Sequence, residues 1–184
     1  MKLWQSFLFC LLLALMLGHP ARAVSFSLTM TDFSTATLRR HYEQAATGKD
    51  AGETFYNLLH DYQGHDGLVL GYKAASEAIK ARDVSMLSKL GYVQQAARTF
   101  GQAVERDPKS AEIRFLRFSV ESNLPPFLGM SKHVEEDKAF LLDAALQHPR
   151  SGLDAEAFGA VRSFLVQRGH VSGEAAEQLA RIKG

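Results

Sequence analysis

From about residue 32 to the end of the chain, apolar side chains recur at helical rather than alternating spacing, and this most narrows the folds available. Segments with strand-like alternation are nearly absent. The clearest is Val24 to Met30 (V-S-F-S-L-T-M), which reads as an extended tail. The expectation is an all-α chain of eight helices with short connections, so that consecutive helices pack as antiparallel hairpins. No Gly/Ser-rich linker divides it, which predicts one continuous helical domain over residues 32–184.

The first 23 residues read differently. Met1-Lys2 gives a short positive start, Leu3 to Leu17 is almost wholly apolar, and Ala21-Arg22-Ala23 is an A-x-A cleavage site after the break at Gly18-His19-Pro20. The apolar run is shorter than the ~20 residues that span a bilayer, so the pattern predicts a signal peptide over 1–23 and a periplasmic or secreted protein. Removing 23 of the 184 residues leaves 161, and 21 basic residues become 19 against 20 acidic ones. The single cysteine, Cys10, leaves with the signal. Disulfides, thiolate metal sites and cysteine nucleophiles are thereby excluded from the mature chain. Basic and acidic residues are balanced throughout, so the footprint of a nucleic-acid binder is missing, and no second apolar run approaches the length of a membrane span.

Helix boundaries follow from local signals. The first helix is expected from Asp32 to Ala46. The second starts at Asp50, where Asp50-Ala-Gly-Glu53 has the form of a capping box. The third runs from Gly67 to Arg82, with Leu68, Tyr72, Ala75 and Ile79 on one face. The fourth, from Ser85 to Arg106, is stopped by Asp107-Pro108, and the fifth runs from Ser110 to Asn123. The sixth covers Ser131 to Gln147. Asp154 is expected to cap the seventh, which Gly169 ends, and Ser172 to cap a short eighth.

Within this array, Ala96-x3-Phe100-x2-Ala103-x4-Pro108 has the order of the second helix of a tetratricopeptide repeat: small residue, aromatic, small residue, terminating proline. Before Pro149, Leu141-x2-Ala144 falls at matching offsets, with Asp137 at the first small position. The chain therefore resembles tetratricopeptide-type proteins over about residues 67–150. The two prolines are 41 residues apart, against a repeat of about 34 residues, and Gly71-Tyr72 sits early for a first-helix signature. The resemblance implies a divergent right-handed superhelix, with a compact helical bundle as the alternative. A second stretch, Glu112-Ile-Arg-Phe-Leu-Arg-Phe118, Pro126-Phe-Leu-Gly129 and Glu135-Glu-Asp-Lys138, is similar to an uncharacterised group of exported Bacteroidota-type bacterial proteins, and no activity comes with it.

The chemistry-bearing residues concentrate on the fifth and sixth helices. With Ile113 at zero on a wheel of about 100° per residue, Ile113, Phe115, Leu116, Phe118 and Val120 occupy most of the circumference. Arg117, Glu121 and Arg114 form one stripe at about 40°, 80° and 100°. A helix so apolar should be central. Asp137 falls on the apolar face of the sixth helix among Val134, Leu141 and Ala144, where an unpaired carboxylate would be costly. It is therefore expected to meet Arg114 or Arg117. Two roles compete for this cluster. One is a structural ion pair of Asp137 with Arg114 and Arg117. The other makes Arg114, Arg117, Glu121 and Asn123 the floor of a groove for an acidic peptide or ligand.

Other constellations are weaker. His60-Asp61 and His65-Asp66 bracket a turn, but their spacing does not place ligands on one helical face. His41, His133, His148 and His170 have no triad spacing, and Glu135-Glu136-Asp137 diverge by about 100° per residue, so they do not converge on one substrate. No phosphate loop is present. The sequence thus points to an exported non-catalytic scaffold that binds a protein or peptide, with neither cofactor nor metal. The alternative is a small helical enzyme or ligand carrier built on the Arg114/Arg117/Asp137 cluster.

Overall fold

A computed structural model of the chain describes residues 33–183. The signal peptide expected over 1–23 and the tail over 24–31 lie outside the described residues. Those residues form eight α-helices and one 3-10 turn, with no strand among them. The helices are α1 (Thr35–Thr47), α2 (Lys49–Leu59), α3 (Gly67–Asp83), α4 (Met86–Arg106), α5 (Ala111–Glu121), α6 (Val134–Leu146), α7 (Ala155–Gln167) and α8 (Glu174–Arg181). The 3-10 turn, Pro126–Leu128, lies between α5 and α6. None of these helices is long and apolar enough to cross a membrane.

Helix starts show which local signals operate. Asp66 and Asp154 cap α3 and α7 by accepting from the amides of Val69 and Ala157, and Ser110 does the same for α5 through Ile113. Each satisfies an amide that has no partner inside its helix. Three expectations are corrected. The Asp50–Glu53 capping box does not form, because α2 begins one residue earlier behind Gly48 and Glu53 instead pairs with Lys80. Ser172 does not cap α8; Gly173 occupies that position at φ 60°, a conformation that favours glycine. Helix α6 starts at Val134 rather than Ser131, because Ser131 and His133 are drawn into bonds with Glu121.

Two main clusters and one smaller one make the core, and α5 joins all three. Leu38, Phe55, Leu59 and Tyr72 pack from α1, α2 and α3 with Leu116. On its opposite side α5 sends Phe118 among Leu141, Phe158, Leu165 and Leu179. Ile113 completes a small group with Leu70 and Ala103. The nearly all-round apolarity of α5 is satisfied by this central position. Close approach of α2 to α3 depends on Gly52, where a Cβ would lie 3.0 Å from Ile79 Cγ2.

Candidate functional site

The arginine stripe of α5 is sealed. Arg117 Nε donates to Asp137 Oδ2 and Nη2 to Oδ1, both at 2.7 Å, and Arg114 Nη1 adds a third bond to Oδ1 at 2.9 Å. Asp137 is 0% exposed and Arg117 4%. The first turn of α6 carries Asp137, where the amide end of the helix also favours a carboxylate. Arg114 is further committed to Glu136 and to the Pro108 carbonyl, with its guanidinium 5.0 Å from the centre of the Phe140 ring. Burial alone would lower the Arg114 pKa, and its bonds to Glu136 and Asp137 reverse this and raise it. The same bond from Arg114 holds Glu136 below its ordinary value.

Glu121 is also buried and occupied. Its Oε2 accepts from the His133 amide and its Oε1 lies 2.8 Å from His133 Nδ1. Its main-chain carbonyl accepts from Ser131 Oγ at 2.7 Å. Asn123 is exposed, and its amide donates to the Ser119 carbonyl. The four residues Arg114, Arg117, Glu121 and Asn123 therefore do not make one open floor. Asp137, Arg114 and Arg117 come together in the interior, Glu121 ties down the α5–α6 connection, and Asn123 alone reaches the larger cavity described below.

A second ion cluster was not anticipated from the sequence. Arg39 on α1 donates Nε and Nη2 to the two Glu112 oxygens at 2.9 and 2.6 Å, and Nη1 to Asp154 and Glu156 at 2.8 and 3.0 Å. Tyr72 donates its hydroxyl to Glu112 at 2.5 Å. One guanidinium thus joins α1, α5 and the start of α7. Its bond to Glu112 is the main cause holding its pKa above the ordinary arginine value. Tyr72 is pushed up by burial and then by the adjacent Glu112 charge. Only the capping role of Asp154 was visible beforehand; the partners lie 73 to 117 positions apart along the chain.

An apolar trough of about 760 Å³ opens between α3, α4 and α5. Met86, Leu90 and Val93 of α4 form one wall. Ala78 and Ala81 of α3, Val120 of α5, and Leu124, Phe127 and Leu128 of the α5–α6 connection also line it. Its rim is unusually apolar for a water-facing surface: Met86 is 79% exposed and Phe127 86%, and Leu87 beside the trough is 95% exposed. Of the lining cations, Arg82 is neutralised by a two-bond pair with Asp83. Lys89 and Arg168 have no acidic partner among the described residues, and no carboxylate lines the trough.

A smaller polar cavity of about 390 Å³ lies along the α3–α4 seam. Buried Glu77 borders it, accepting from Gln95 Nε2 at 2.9 Å through one oxygen while the other has no hydrogen-bond partner. Burial pushes the Glu77 carboxyl upward. The histidines stay dispersed: His60 bonds to Asp61, His133 to Glu121, and His148 and His170 stack on Phe158 and Phe164. No group of three or more His, Cys, Asp or Glu side chains among the described residues is placed to hold a metal ion. No protein-family model, curated protein or solved structure matches the chain.

Proposed function

We propose that this protein is an exported, non-catalytic helical scaffold of the cell envelope that docks a segment of a partner protein in the α3–α4–α5 trough. The observation that carries the reading is the apolar trough with its exposed rim of Met86, Leu90 and Phe127. Contiguous apolar surface of this kind is unfavourable in water and marks interaction sites. The charged cluster that competed for the role closes on the buried Asp137 through three hydrogen bonds inside the molecule, which favours a structural part for it. Burial of Ala96, Phe100 and Ala103 along one face of α4 supports reading α3–α4 as a tetratricopeptide-like hairpin. The signal pattern of residues 1–23 supports export.

Photo-crosslinking tests the reading. A photoreactive residue at position 90 or 127 of the protein, expressed in its own host, should give the same discrete adduct from both positions. Position 181, exposed at the end of α8, should give none. Indiscriminate adducts from all three positions, or none from 90 and 127, would overturn it.

A further inference from the structure

We infer that the occupant of the trough is an amphipathic helix whose polar face is acidic. This rests on the docking reading above and adds the chemistry of the partner. Three features carry it. Met86, Leu90 and Val93 stand at helical spacing along one wall and span about 10 Å of α4. Anchors at i, i+4 and i+7 on a partner helix match that length. The lining includes Ala78 and Ala81, whose short side chains leave room for the apolar ridge of a second helix. Among the described residues Lys89 and Arg168 line the trough without an acidic partner, Lys89 donating only to the Arg82 carbonyl and Arg168 lying over the Phe164 ring. No carboxylate lines it, so a negative flank on the occupant is complemented and a positive one repelled.

The same features argue against other occupants. A second copy docked symmetrically would set the patch against itself and bring Lys89 and Arg168 toward one another with no acid in the lining. A bilayer would meet the exposed Leu87 and Phe127 but would leave the 760 Å³ of the trough unfilled. An acyl chain lying in the trough would leave Leu87, which stands outside it, exposed.

The test uses two labelled amphipathic peptides of about four helical turns with the same leucine face, one with glutamates and one with lysines on the polar face. The full chain should bind the glutamate peptide at least about tenfold more tightly than the lysine peptide, and the difference should shrink as salt rises. Leu90→Glu should abolish binding with the helical circular dichroism unchanged, since Leu90 is 47% exposed. Lys89→Glu with Arg168→Glu should reverse the preference; the exposed Arg168→Glu alone should reduce it. Equal affinity for both peptides, lost in Leu90→Glu, overturns the acidic assignment and leaves docking in place. Binding of neither peptide overturns docking as well. Binding to phosphatidylglycerol vesicles without peptide binding overturns the inference in favour of a membrane-facing surface.

Discussion

Arg117 and Asp137 lie 20 residues apart in sequence, on different helices, and meet through two parallel 2.7 Å bonds in the interior. This pair fixes how α5 and α6 face one another, because a shift of either helix by one residue would leave a buried charge unmatched. Asp137→Ala should therefore cost about 3–5 kcal/mol in urea unfolding by stranding Arg117. Arg117→Met combined with Asp137→Leu should recover most of that loss. A double variant no more stable than Asp137→Ala would contradict the structural role.

Glu121 holds the connection that carries Phe127 and Leu128. Glu121→Ala removes the acceptor for the His133 amide and should cost about 1–3 kcal/mol. Amide exchange should accelerate over residues 131–136. The trough lining on that connection should loosen with it, so binding to the trough should weaken even though residue 121 does not line it.

Arg39 joins α1 to α5 and α7. Arg39→Met should destabilise the fold by roughly 2 kcal/mol, because hydrogen bonds to charged groups contribute more than neutral ones. Tyr72→Phe should cost less, since Glu112 retains Arg39. Equal losses for the two variants would mean that Arg39 contributes no more to the cluster than Tyr72 does.

Stability should fall on both sides of mildly acidic pH. Glu136 and Asp154 are held below their ordinary values of 4.5 and 3.8, chiefly by the bond from Arg114 and by the Ala157 amide. Their contribution is present above those ordinary values and is lost as pH falls through the lowered ones. Glu77 has the opposite sign: burial raises its value, so the stability associated with its protonated form is lost as pH rises through that raised value. Glu77→Gln should be more stable than the parent above that raised value, by ~1 kcal/mol, and should flatten the loss of stability with rising pH in thermal melts. An unchanged slope would show that Glu77 does not cause it.

The expected boundaries of α3, α5 and α7 fall close to the observed ones, because their caps are side chains three residues from the amide they satisfy. Asp137 was equally legible: a carboxylate on an apolar face requires a cation, and α5 offered two. The Arg39 cluster was hidden because its members are distant in sequence: Asp154 reads only as a cap, Tyr72 only as part of an apolar face, and Arg39, Glu112 and Glu156 as ordinary exposed charges. The trough was hidden for a different reason. Met86, Leu90 and Val93 sit at the spacing that core-facing residues of a helix also show, and only the structure places them along a cavity. The Asp50 and Ser172 caps failed where the turn was set by Gly48 and Gly173 instead.

Amide hydrogen exchange on the full chain, with and without the glutamate-faced peptide, tests most directly whether the trough rather than the arginine stripe is the docking surface. Added protection is expected over residues 78–93 and 119–128, with exchange over 111–117 and 134–138 unchanged. Protection confined to the segments carrying Arg114, Arg117 and Asp137, with residues 78–93 unaffected, would contradict docking in the trough.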